Sequence, residues 1–410
     1  MKSPRFLFVA GTLFVSGIST LPAYAADDVV NNSSSSSKTL STREALVKLK
    51  NSKPFPRQTG NQKPRFESSV KGASGFSRSS DGGRERSRSA RNSGSRAYGS
   101  FGIPYTSTRV RVGNVSGTSS SKKGYLSATY PYRPAGLLIS SGGACSAQLI
   151  GPSILITAAH CVGPFGEKRF FSDFTFYPGV YEDSSETNIP YGTWTSVNEV
   201  LPGPWYRGTD SGSGACRNND LAIVVLNKNS KGEFLGDKIG WYGYSWGNYS
   251  FLNSSKTKRS TAAVTTLGYP GLLDNGKIMQ RQDGPAYLAT CSGGGKQIYQ
   301  GSNFTGGSSG GAWLVNFGSI GKGLPSLSGG ASKGSKANQA VVGVTSWGAS
   351  DPNARKDNWS SRFGRNKEYT KKSYKTKHSK MVGQGNIGSL LNSICKVGEK
   401  NSYYNLGYCK

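Results

Sequence analysis

The chain contains two histidines, and one of them, His160, stands in Thr157-Ala158-Ala159-His160-Cys161. An imidazole is the side chain best suited to take up a proton at neutral pH. Asp220 follows in Asn218-Asn219-Asp220, and Ser309 in Gly306-Gly307-Ser308-Ser309-Gly310-Gly311. A serine hydroxyl is a poor nucleophile until a base removes its proton during attack. His160 is the candidate base, and afterwards the acid that protonates a leaving group. Asp220 is the candidate acceptor for the other ring nitrogen, which would fix the tautomer and stabilise the imidazolium. Gly307 allows a tight turn and leaves its N–H uncovered. With the N–H of Ser309 it is a candidate oxyanion hole, a device in which losing one donor costs about 3–4 kcal/mol. Taken singly, each residue has a plainer reading: an exposed or structural histidine, a turn aspartate, a flexible Gly/Ser loop. Their order and flanks argue for a set.

The elements that must hold these residues are readable too. Ile154-Leu155-Ile156-Thr157 reads as a buried strand delivering His160, and residues 221–226 as another that begins beside Asp220. The globular part is expected to begin near Tyr125, with Leu137-Leu138-Ile139 as the first convincing strand. From there short apolar runs alternate with Gly, Asn, Ser and Pro turns, an all-β pattern.

The order His160, Asp220, Ser309 is that of chymotrypsin-type enzymes, not of subtilisins or α/β-hydrolases. With these flanks the chain resembles the chymotrypsin/trypsin-like serine peptidase family, on its bacterial secreted branch near the glutamyl endopeptidases. The resemblance covers roughly residues 128–410. It implies two six-stranded antiparallel β-barrels with the cleft between them, His160 and Asp220 on the first and Ser309 on the second. It implies a secreted serine endopeptidase that acts on protein or peptide substrates through an acyl-enzyme, without cofactor or metal. Val341-Val342-Gly343-Val344-Thr345-Ser346-Trp347-Gly348 resembles the family's substrate-binding strand. Ser346, Trp347 and Gly348 would pair with an extended substrate, Ser346 would also sit near Asp220, and Trp347 would wall the primary pocket. Cys145 and Cys161 match the family's bridge beside the histidine.

Three positions depart from the family pattern. Ser308 stands where trypsin-like zymogens carry an Asp that pairs with a freed amino terminus. Asn303, six residues before Ser309, stands where those enzymes place an Asp for Lys or Arg substrates. Thr345 stands where glutamyl endopeptidases have a histidine. Asn303, Thr305 and Thr345 are therefore expected to line a neutral polar pocket, and the cleavage preference stays open.

Lys2 and Arg5 precede an apolar run over residues 6–21, and Ala23-Tyr24-Ala25 has the small-x-small form of a cleavage site. Residues 1–25 are thus expected to be a signal peptide, and the location secreted or periplasmic, with no integral membrane segment after its removal. Six cysteines in an exported chain suggest three disulfides. Cys395 and Cys409 form a C-terminal pair, which leaves Cys216 and Cys291 by elimination. No close paired spacing supports a metal site. Residues 26–124, with a serine run and a Ser/Arg/Gly tract, are expected to be a disordered basic pro-region or linker. Within it Ser41 and Glu44 make a capping-box pattern ahead of Ala45, Leu46 and Leu49, and Pro54 would stop the helix. The formal charge of +29 suits anionic surfaces or polymers more than specific nucleic-acid binding. His378, in the basic stretch 351–380, is expected to be exposed. The alternative function is a protease-like binding module that has lost activity and adheres to anionic surfaces.

Overall fold

The computed structural model describes residues 28–33, 40–56, 107–110, 125–182, 187–246, 252–254, 259–291, 295–318, 331–333, 339–348, 356–375, 381–395, 403 and 405–409. The expected signal peptide, His378 and the whole Ser/Arg/Gly tract lie outside them. Among the described residues, β1 (Val29–Asn32), α1 (Thr42–Asn51), β2 (Ser107–Arg109) and a 3-10 turn (Leu126–Ala128) precede the first barrel. The barrel uses β3 (Ala135–Ser140), β4 (Gly143–Leu149), β5 (Ile154–Thr157) and β6 (Thr175–Pro178). A small hairpin, β7 (Tyr181–Glu182) and β8 (Thr187–Asn188), leads to β9 (Trp194–Pro202). A short helix, α2 (Gly203–Arg207), then precedes β10 (Ala222–Leu226), and α3 (Leu235–Ile239) leads out.

These strands run in the order β9-β10-β5-β4-β3-β6, and the pairing of β6 with β9 closes the barrel. The continuous apolar run of β10 is explained by burial on both faces. Ile223 and Val225 enter one core cluster, whereas Ala222, Val224 and Leu226 enter another. β5 divides in the same way, with Ile154 and Ile156 on one side and Leu155 on the other. This is the period of two expected of a strand.

The second half of the chain supplies β11 (Gly243–Trp246), β12 (Leu252–Ser254), β13 (Arg259–Gly268), β14 (Gln280–Thr290), β15 (Lys296–Gly301) and β16 (Ala312–Val315). After β17 (Ala331–Lys333) come β18 (Ala340–Gly348), β19 (Asp357–Arg362), β20 (Tyr374–Lys375), β21 (Met381–Gly383) and α4 (Gly385–Cys395). A second closed barrel of six strands runs β13-β14-β15-β19-β18-β16 and returns to β13. The fold is thus the pair of six-stranded antiparallel barrels that the sequence implied. One apolar cluster joins them: it contains Ile154 and Ile223 of the first barrel, Leu314 and Val341 of the second, and Ile387, Leu390 and Ile394 of α4.

Three stretches of the 26–124 segment depart from the expected disorder. β1 pairs antiparallel with β9, and β2 with β14. α1 starts with the expected capping box: the Ser41 hydroxyl accepts from the Glu44 N–H, and the Glu44 carboxylate accepts from the Ser41 N–H. Such a box satisfies two otherwise unpaired donors. Ala45 and Leu49 of α1 are buried in the main core. These stretches hold because they bury apolar surface on a finished barrel, which composition alone does not reveal.

Disulfides join Cys145 to Cys161, Cys216 to Cys291 and Cys395 to Cys409. The second ties the approach to Asp220 in the first barrel to the end of β14 in the second. Among the described residues no helix is long and apolar enough to cross a membrane.

Candidate active site

The register of two strands brings the first pair of residues together. β5 and β10 are antiparallel, with Thr157 opposite Ala222. His160 follows β5 on a single 3-10 turn, Ala159–Cys161, and Asp220 lies two residues ahead of β10. Both therefore emerge at the same end of the barrel. The Asp220 carboxylate is fully buried and takes three hydrogen bonds. The His160 backbone N–H donates at 2.9 Å, His160 Nδ1–H at 2.8 Å and the Ser346 hydroxyl at 2.6 Å. Burial alone would raise this carboxyl, but the His160 imidazole and these donors hold it below the ordinary carboxylate range. With Nδ1 donating, the lone pair of the neutral ring sits on Nε2, which is buried and has no hydrogen-bond partner among the described residues.

Ser309 belongs to the second barrel but is docked on the first. Its carbonyl accepts from the Ser146 N–H at 2.7 Å, beside the Cys145–Cys161 bridge. Gly310 (φ +79°) abuts Thr157 and Ala158, just ahead of His160; a Cβ there would lie 2.0 Å from Thr157 Oγ1. Gly307 also has a positive φ, +92°, a conformation that glycine adopts without cost. The Gly306 carbonyl accepts from the Gly271 N–H at 2.7 Å. A trans peptide is planar, so this bond turns the Gly307 N–H away from Gly271. Among the described residues, neither the Gly307 nor the Ser309 N–H is taken by a backbone carbonyl. Both remain candidate donors to a developing oxyanion. The Ser309 hydroxyl is not bonded to Nε2 in this state, an arrangement that commonly tightens only when substrate is bound.

Ser308 sets the turn in another way than an ion pair. Its hydroxyl donates to the Thr305 carbonyl at 2.6 Å, and its N–H reaches the same oxygen at 3.1 Å. Ser146, which sequence reasoning passed over, donates to the Gly307 carbonyl and accepts from the Tyr269 N–H. Its position next to Cys145 was the available signal.

The expected pocket residues fall into two groups. The Thr305 hydroxyl accepts from the Leu272 N–H. The Thr345 hydroxyl accepts from Trp313 Nε1–H at 3.0 Å and faces the Gly311 carbonyl. Both hydroxyls are engaged by the protein itself. Asn303 differs, because its Oδ1 is buried and has no partner among the described residues. Ser346 is buried in β18, and Trp347 packs with the stacked Tyr299 and Trp359 rings. Among the described residues one cluster has metal-ligand spacing, Cys145, His160 and Cys161. Its two sulfurs are bonded to each other, so this donor set does not fit a metal ion.

No family model matches the chain. It is 30% identical to a glutamyl endopeptidase of Bacillus licheniformis over 142 residues, 35% of this chain and 37% of that protein. It is 26% identical to an extracellular metalloprotease of Bacillus subtilis over 167 residues, 39% of this chain and 46% of that protein. The chain thus spans less than half the length of either relative. Similar solved structures include the protease Anisep of Arthrobacter nicotinovorans, at 22% identity and a TM-score of 0.40, covering 56% of this chain and 90% of that one. Another is a Glu endopeptidase, at 17% identity and a TM-score of 0.41, covering 58% and 88%. By sequence and by its two closed barrels, the chain resembles the trypsin-like serine peptidases, near the glutamyl endopeptidases.

Proposed function

We propose that the chain is a secreted serine endopeptidase that hydrolyses peptide bonds through an acyl-enzyme on Ser309. The observation that carries this reading is the buried Asp220, bonded to His160 and Ser346, which leaves the Nε2 lone pair unpartnered, while the Ser309 turn is docked through Ser146 and Gly310 on the strand end that delivers His160. Ser309 Oγ attacks the substrate carbonyl carbon while His160 Nε2 takes its proton. Asp220 stabilises the imidazolium that forms. The N–H groups of Gly307 and Ser309 hold the oxyanion. His160 then protonates the leaving amine, and water repeats the sequence to free Ser309. The substrate's acyl side would run along Ser346, Trp347 and Gly348 as an added strand. Asn303 is neutral, and the hydroxyls of Thr305 and Thr345 are engaged, so this pocket supplies no fixed charge for Lys or Arg.

In this reading residues 1–25 are a signal peptide that directs export, 26–124 a basic pro-region or linker and 125–410 the peptidase domain. The test is labelling of the full chain by a fluorophosphonate, which reacts with activated serines. Labelling that disappears in Ser309→Ala, together with a loss of peptide hydrolysis by several powers of ten, is expected. Equal labelling of both chains refutes the assignment. A folded chain that never labels favours the binding-module alternative.

A further inference from the structure

The segment that follows α1 does not run over free surface. The Phe55 N–H donates to the Ala144 carbonyl at 2.7 Å, and the Ala144 N–H donates to the Lys53 carbonyl at 2.8 Å. Pro54 thereby pairs with Ala144 in parallel, as a peptide adds to a sheet edge. Ala144 is next to Cys145, whose bridge reaches the residue after His160. The Phe55 ring lies 5.4 Å from the His160 ring and 5.8 Å from that of Phe171, centroid to centroid. Pro54 lies against the candidate oxyanion turn: a Cβ placed on Gly307 would come within 3.2 Å of Pro54 Cβ. A Cβ on Gly271 would come within 2.6 Å of Pro54 Cγ.

α1 anchors this stretch from behind. Leu49 and Ala45 are buried, Tyr177 donates its hydroxyl proton to the Ala45 carbonyl at 3.0 Å, and Lys48 Nζ donates to Thr175 Oγ1 at 2.8 Å. Lys277 Nζ donates to the Leu49 carbonyl and to the Ser52 hydroxyl. Anchoring by a helix of 10 residues makes the docking of Lys53, Pro54 and Phe55 intramolecular, with a correspondingly high effective concentration.

The acyl half of a substrate is assigned above to β18, in the second barrel. The segment at Ala144 lies instead against β4 of the first, with Phe55 beside the His160 ring and Pro54 against Gly307. A peptide held on β18 with its scissile bond at Ser309 leaves its amine half for ground that β18 does not cover. We propose that residues 40–56 are a tethered ligand of the chain's own cleft: Lys53-Pro54-Phe55 fills the leaving-group side and holds the full chain in a self-inhibited state. The complementary external ligand is an extended peptide with a proline followed by an aromatic residue. The inhibitory part of this inference rests on the proposed peptidase activity; the occupancy does not.

Two measurements on the full-length chain and its Phe55→Ala variant separate the two. The first compares turnover of an internally quenched peptide, which needs both sides of the cleft, with that of a small p-nitrophenyl ester, which needs one. The peptide-to-ester rate ratio is expected to rise about tenfold or more in the variant. An unchanged ratio overturns the inhibition. The second is amide exchange in Ser309→Ala chains with and without Phe55→Ala. The Phe55 and Ala144 amides are expected to be protected in the first and to exchange about tenfold or more faster in the second, while the β5 and β10 amides, which report the fold, stay slow. Free exchange at Phe55 and Ala144 with Phe55 present overturns the proposal outright. Failure of the fluorophosphonate to label any form removes the peptidase reading and leaves exchange to decide occupancy. Pro54→Gly serves as a second variant with the same expected direction in both measurements.

Discussion

Ser346→Ala tests how the candidate site is held together. The hydroxyl it removes lies 2.6 Å from Asp220 Oδ2, in a place where the carboxylate has no exposure to solvent. Water therefore cannot take over as donor. A hydrogen bond to a charged group contributes about 1.5–3 kcal/mol, so the variant should lose about 2 kcal/mol of stability at pH 7. The pH dependence follows from the direction of the carboxyl's shift. Asp220 is held below the ordinary range in the fold, so its contribution is full above the unfolded pKa of about 4 and is lost as pH falls through the folded value. Removing one donor to the ionised form raises the folded pKa. The difference between parent and variant should be largest near neutrality and should shrink on acidification, because the protonated carboxyl gains less from the hydroxyl. Urea unfolding at several pH values reads this as a change in midpoint at constant slope. A variant within about 0.5 kcal/mol of the parent at pH 7, or a difference that grows below pH 4, refutes the reasoning.

Two further outcomes are expected. Asp210 accepts from the N–H groups of Gly212, Asn218 and Asn219, and burial, then the nearby Glu368 charge, push its carboxyl up to about 6. A raised folded pKa means that stability from this group is present below pH 4 and is lost as pH rises toward 6. The stability difference between parent and Asp210→Asn should therefore fall, by on the order of 3 kcal/mol, from pH 4 to pH 7, and a flat difference in denaturation midpoints over that range contradicts it. Gly310→Ala should prevent folding or lower the melting temperature steeply, since its Cβ would meet Thr157 Oγ1 at 2.0 Å and the Ser146 carbonyl at 2.3 Å. Gly318 has the same φ, +79°, and a Cβ there would meet nothing within 4 Å among the described residues; its replacement by Ala is the control. It should cost about 1 kcal/mol from backbone conformation alone, and equal melting temperatures for the two variants count against a steric cause.

What was legible beforehand follows from the range of the forces involved. The strands that carry His160 and Asp220 could be read because β5 and β10 are short apolar runs with defined ends. The start of α1 could be read because a capping box is a contact over three residues. The closure of β6 on β9 could not, since pairing across distant stretches leaves no local trace. β1, Val29-Val30-Asn31-Asn32, is too short and polar to announce itself and exists because β9 offers it an edge. The hydroxyls of Thr305 and Thr345 looked available to a ligand. Trp313 Nε1–H and the Leu272 N–H, one buried and distant and the other from a neighbouring loop, claim them instead. The docking of Phe55 beside His160 had no sequence signal, because one aromatic residue in a polar stretch does not name its partner.

The position of α4 bears on how the protein is made. Residues 385–395 follow every strand of the second barrel, yet Ile387, Leu390 and Ile394 complete a core shared with Ile154, Ile223 and Val200 of the first. Cys395 is then bridged to Cys409, and Tyr408 packs edge-on to Phe234, at the exit of the first barrel. During synthesis the first barrel therefore emerges with an apolar flank that nothing yet covers. Its own strands cannot close that flank; the chain must first extend by more than 150 residues. Contacts this far apart in sequence form slowly, and uncovered flanks aggregate while they wait. Folding should therefore finish only once α4 has been made, rather than barrel by barrel, and refolding yield should depend strongly on protein concentration.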